Sequence, residues 1–229
     1  DGGKSSDAVT FKATATQTAS LYIEDPNASV KTTGFFAFAG STPAGGTSTA
    51  RTFRIVNATG TSQSFTLPAA GEQLAGLFYM ADTQPSSGAC VLGDAGETLD
   101  NTKSSCLFNV VFKPTSISPI YQHALASVAG TTATALIGLM GRVQQPVTLQ
   151  LTPASADFGT VAAGGTVSRS FTVTNGGDVA MATDKVALST SITSDGSAAT
   201  YAITADACNA KRLAAGASCV ITVTVTGVT

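Results

Sequence analysis

Few residues of this 229-residue chain could do covalent or acid–base chemistry: four cysteines, one histidine and one short acidic loop. Cys90, Cys106, Cys208 and Cys219 form no C-x-x-C pair, and a lone histidine adds little to a zinc shell, so no metal site is expected from them. Four thiols allow three disulfide pairings, and disulfides imply an oxidising compartment. His123, in "PIYQHALASV", would need a serine and a carboxylate beside it to serve as a general base, and nothing marks such a serine. It is expected at the surface or edge of a strand. No G-x-S-x-G, P-loop or dinucleotide fingerprint is present. The loop "GDAGETLDN" at residues 93–101 gathers Asp94, Glu97, Asp100 and the amide of Asn101. Such oxygens can hold calcium, but the spacing is not that of an EF-hand, and a solvated, disulfide-bounded loop is expected instead. The chain lacks the parts for general acid–base catalysis, so neither an enzyme nor a cofactor is expected.

The elements that must position these residues are all strands. Hydrophobic residues make up 43% of the chain and charged ones 11%, which excludes a disordered polyelectrolyte and allows a packed core. A net charge of -2 leaves no basic footprint for nucleic acid. The longest apolar run, residues 133–141, is about half of what a membrane helix needs, so no membrane insertion is expected. Runs of Thr and Val favour strands, and few segments show a helical period. Asp1 opens no signal peptide, and the reading is an exported chain whose signal has been removed, with an extracellular or cell-surface location.

The sequence is written twice. "SLYIEDP" at 20–26 matches "TLQLTP" at 148–153, and "FAGSTPAGGT" at 38–47 matches "FGTVAAGGT" at 158–166. "RTFRIVNATG" at 51–60 matches "RSFTVTNGGD" at 169–178, and "SCLFNVVFKPT" at 105–115 matches "SCVITVTVTGVT" at 218–229. Alternation places Cys106, Phe108, Val110 and Phe112 on one face, and Cys219, Ile221, Val223 and Val225 on the equivalent face. Gly45-Gly46, Gly164-Gly165 and the segments at Asn57 and Asn175 are read as turns needing positive φ. A disulfide that serves one copy should serve the other, so the duplication selects Cys90–Cys106 and Cys208–Cys219. Two tandem immunoglobulin-like β-sandwich domains are predicted, at residues 17–145 and 146–229, behind an N-terminal extension at 1–16.

Residues 147–225 carry "LQLTPASADFGTVAAGGTVSRSFTVTNGGD…CNAKRLAAGASCVITVTV". This pattern resembles the ASH/Hydin-type immunoglobulin-like domain, which is similar in fold to major sperm protein and to periplasmic pilus chaperones. The first copy matches more loosely because "ADTQPSSGACVLGDAGETLDNTKSSC" is longer. The resemblance implies a structural or interaction module of a bacterial exported or surface protein, and brings no catalytic residues with it.

Copy one continues past Cys106 into "TATALIGLMGRV" at 132–143, read as its last strand, whereas copy two has ten residues after Cys219. Domain 2 is therefore expected to lack a closing strand, leaving a groove bordered by Phe171, Val173, Ile221, Val223 and Val225. "DAVTFKATATQT" at 7–18 alternates, with Val9, Phe11, Ala13 and Ala15 on one face. The expectation is that this strand completes domain 2 of the next copy, so the partner is the chain itself and the product a head-to-tail, pilus-like fibre. The competing reading is a two-repeat binding or adhesin fragment of a larger surface protein.

Overall fold

The computed structural model describes residues 20–27, 35–182, 188 and 199–228. Every regular element among them is a strand. The chain divides into two compact units between Val143 and Gln144. The division falls two residues before the 145/146 reading because Val143 is fully buried in the first unit, while the Gln145 carbonyl already accepts from Asp178 N in the second.

Unit 1 is a two-sheet sandwich. One sheet has the order β1-β3-β8-β6-β5, from β1 (Leu21–Glu24), β3 (Arg51–Asn57), β8 (Ser105–Phe112), β6 (Phe78–Met80) and β5 (Gln73–Ala75). The facing sheet has the order β2-β10-β9, from β2 (Phe35–Ala37), β10 (Thr134–Arg142) and β9 (Tyr121–Ala129). The period of two turns alternate side chains of each strand to the same side. Leu21, Ile23, Phe53, Ile55, Cys106, Phe108, Val110 and Phe112 come inward from the first sheet, and Phe36, Ala126, Val128, Ile137 and Leu139 from the second. Phe53, Phe78, Phe108 and Phe112 are fully buried, each contributing about 1.5–3 kcal/mol of apolar transfer free energy. Two strands, β9 and β10, follow β8; β9 is the strand expected to carry His123, and β10 is the last strand expected at 132–143. They pair antiparallel from Thr134↔Ala129 to Arg142↔Tyr121, and β10 also pairs β2 in parallel.

The long insert of copy one is ordered structure. β4 (Gln63–Phe65) pairs β7 (Glu97–Leu99) in a small antiparallel sheet, with Phe65 and Leu99 buried beneath it. Gln63 is fully buried, donating to Thr132 Oγ1 at 2.7 Å and accepting from Thr132 N at 3.1 Å.

Unit 2 repeats the first sheet in the same register. Its order is β11-β12-β14-β13, from β11 (Leu149–Thr152), β12 (Thr166–Asn175), β14 (Ser218–Gly227) and β13 (Ala199–Asp206). Val173↔Cys219 and Phe171↔Ile221 reproduce Ile55↔Cys106 and Phe53↔Phe108. Leu151↔Val173 reproduces Ile23↔Ile55. The opposite face is polar, with Ser168, Thr204 and Thr224 hydroxyls bonded at 2.8 Å. Among the described residues, unit 2 has no counterpart of the β2-β10-β9 sheet. The turns behave partly as the composition suggests. Gly45 and Gly164, the first of each Gly-Gly pair, take φ of 78° and 74°. The Asn57 segment takes positive φ at Gly60 (76°), while Asn57 and Asn175 themselves do not; their side chains accept from the amide two residues on, Thr59 N at 3.0 Å and Gly177 N at 3.1 Å, which closes the turn by hydrogen bonding.

Candidate functional site: an uncovered sheet face in unit 2

Both disulfides lie within their own unit: Cys90–Cys106 and Cys208–Cys219, with Cα separations of 4.9 and 5.2 Å. Each places its strand cysteine on the inward face, where it joins a core cluster. The clusters differ in size. Cys106 sits within the full sandwich core, whereas Cys219 and Cys208 share theirs with Leu213, backed by half-buried Val173, Met181 and Ile221.

The acidic loop does not converge on a common point. Glu97 is buried on β7, paired with Lys103 Nζ at 2.8 Å and accepting from Val91 N at 2.9 Å. Asp100 Oδ1 accepts from Thr102 N and Thr102 Oγ1 at 2.7 Å and from Lys103 N at 3.0 Å. Those hydrogen bonds, Thr102 Oγ1 first, hold its carboxyl below the usual range. Among the described residues, the group of potential ligands that does converge is Cys90, Glu97 and Cys106. Its sulfurs are spent on the disulfide, so they supply no thiolate. His123 is exposed on β9, edge-on to the Phe35 ring at 6.3 Å.

The face of unit 2 that corresponds to the buried face of unit 1 is where the two copies part. Leu149 and Leu151 hold the places of Leu21 and Ile23, and the shared register puts them on the side of Val173 and Cys219. Leu21 and Ile23 are 3% and 1% exposed; Leu149 and Leu151 are 46% and 44%. The expected groove is uneven. Phe171, Val173 and Ile221 are half-buried, while Val223 and Val225 are buried within unit 2. Val225 lines a cavity of about 410 Å³ together with Phe158 and Tyr201. Leu149, Leu151, Phe158 and Tyr201 were not among the sequence-derived groove residues. Their signal is the repeat itself, since "TLQLTP" copies "SLYIEDP" and Phe158 copies Phe38. The strand residues Val9, Phe11, Ala13 and Ala15 lie outside the described residues.

A shared arginine positions the segment beside this face. In unit 1, Arg51 donates to the Ala37 carbonyl and pairs with Asp25 at 2.6 Å, its guanidinium 5.3 Å from the Phe36 ring centroid. In unit 2, Arg169 Nε donates to the Asp157 carbonyl, the position equivalent to Ala37, at 3.4 Å. β2 becomes a strand because β10 pairs with it. The equivalent segment around Asp157 has no ladder partner among the described residues.

No family model matches the sequence, and no curated protein does. Among solved structures, the chain is similar to the ASH/PapD-like domain of human CEP192 (PapD-like domain 7), with 13% identity over 59% of this chain and 95% of that one, and a TM-score of 0.31. Agreement of that size adds nothing to the strand orders and registers above, which by themselves make unit 1 an immunoglobulin-like sandwich and unit 2 a copy of one of its sheets. Two disulfides are compatible with an exported protein, and among the described residues no helix is long and apolar enough to cross a membrane.

Proposed function

We propose that the protein is a structural subunit of an extracellular filament, in which residues 7–18 of one copy complete unit 2 of the next. The observation that supports this is the pair Leu149 and Leu151, which stand in the register of Leu21 and Ile23 yet are exposed where those are covered. An apolar sheet face is an association surface. A strand laid across it places alternate side chains against it, and gains ladder hydrogen bonds only where it also meets an unpaired strand edge. Val9, Phe11, Ala13 and Ala15 alternate in the way such a strand requires. Each copy would both give and receive, so the contact is head-to-tail and propagates unless it closes a ring. The role is architectural and needs no catalytic group, and the disulfides fit export to an oxidising space.

The test compares full-length protein with residues 17–229, with and without a peptide of residues 1–18, by sedimentation and electron microscopy. The full chain is expected to form filaments, the truncated chain to stay monomeric, and the peptide to bind the truncated chain. Phe11→Asp should stop assembly while both disulfides still form. Full-length protein that stays monomeric, or a truncated chain that polymerises equally well, would overturn the reading in favour of a two-domain binding module.

A further inference from the structure

Three aromatic rings close one end of the unit 1 core. Phe78 lies 5.4 Å from Phe38 and 5.1 Å from Phe112, centroid to centroid. Above them β10 passes at Gly141, where a Cβ would lie 2.5 Å from the Phe112 ring. The sheet therefore carries the bulk here, and the strand that covers it is bare.

Unit 2 has the opposite arrangement. Phe158 stands for Phe38 in the repeat, and Tyr201↔Val225 stands for Phe78↔Phe112 in the register. Phe158 and Tyr201 still meet edge to face at 6.1 Å, but Val225 has replaced the third ring. These three residues line one side of an open cavity of about 410 Å³, whose other walls come from the segment at 156–161, Asp157 included, and from Ala199 and Gly227. Val225 is itself only 2% exposed, but it is smaller than Phe112, and the space beside it is where a covering strand would bring the bulk.

Building on the filament reading above, we infer that this cavity receives the ring of Phe11 from a second copy of the chain. Phe11 is the aromatic residue of the segment 1–19, which contains no other. Setting Phe11 at the place of Gly141 also fixes the direction of the incoming strand. Running as β10 runs, it would put Asp7 at the place of Ile137, burying a carboxylate against an apolar face. Running the opposite way, Val9 falls at Val143, Ala13 at Leu139 and Ala15 at Ile137, all apolar, and Gln17 at Ala135 is the polar residue at an inward place. The strand therefore enters antiparallel to the direction of β10.

The experiment is a size exchange in the full-length chain. Val225→Phe rebuilds the third ring from within and should abolish filaments, because Phe11 then has no room. Phe11→Gly should abolish them by leaving the cavity empty. The double variant should restore them, reproducing the pairing of Phe112 with Gly141. Filaments from Val225→Phe alone, or a double variant that remains inactive with both disulfides formed and unit 2 intact by limited proteolysis, would overturn the assignment. A photo-reactive p-benzoylphenylalanine in place of Phe11, in otherwise wild-type filaments, gives a readout that does not depend on how Val225→Phe folds. Cross-linking to a peptide carrying Tyr201 or Val225 supports the cavity, and cross-linking only to the peptide carrying Leu149 and Leu151 overturns it. Assembly that needs residues 1–18 but ignores the size exchange would refute this site alone. A chain that never assembles would refute the filament reading with it.

Discussion

Gly141 and Phe112 show how far a single position constrains the sandwich. The Phe112 ring is fully buried and occupies the space a side chain at 141 would take. Gly141→Ala should destabilise unit 1 by about 1–3 kcal/mol through overpacking, read from urea unfolding. An unchanged midpoint would mean that the two sheets separate more easily than the packing implies. Asp25 makes a different kind of test. Burial raises its pKa, but the hydrogen bonds from Arg51 and the Asn27 amide, with the Arg51 charge, outweigh that and leave the carboxyl below its ordinary value. A carboxyl with a lowered folded pKa contributes stability above its unfolded value of about 3.9, and that contribution fades as the pH falls through the folded value. The stability gap between wild type and Asp25→Asn should therefore be present at neutral pH and close in acid. A gap that is unchanged in strong acid would show that the Arg51 pairing is not its source.

Among the elements, the strand that carries the second cysteine is the same in both units, but what supports it is not. β8 is held by a full core, whereas β14 has a small cluster around Cys208, Leu213 and Cys219. Closing loops of 16 and 11 residues contributes about 3 kcal/mol each on the chain-entropy estimate. The loss matters more where less else stabilises the fold. Replacing Cys208 and Cys219 by alanine should lower the unfolding midpoint of unit 2 well below that of unit 1, whereas replacing Cys90 and Cys106 should leave unit 1 folded. Calorimetry on the two double variants decides this, and equal losses in both would contradict it. The pairing itself was legible in the sequence, because a tandem repeat offers each cysteine one equivalent partner. The small β4-β7 sheet was not, because the repeat matches no segment of copy two to "ETL" or "QSF" by which they could be recognised as strands.

At the scale of the whole molecule, the two units carry one sheet written twice and differ in what covers it. The Thr, Val and Phe alternation sets which face of each strand is apolar, and the repeat sets which strands correspond. Those features lie along the chain, so the sequence alone determined the all-β class, the two copies, the inward face of β8 and β14 and both disulfides. It could not determine that β10 also pairs β2 in parallel, since that pairing joins residues distant in the chain. The missing closing strand pointed to an open face in domain 2, but did not single out Leu149 and Leu151 as exposed where Leu21 and Ile23 are buried. Burial belongs to the element that lies opposite, so how far each residue of one sheet is covered is decided by the packing and not by that sheet's own sequence. The cavity beside Val225 is of the same origin: a valine in a strand is unremarkable until the register places it where its twin is Phe112 beneath Gly141.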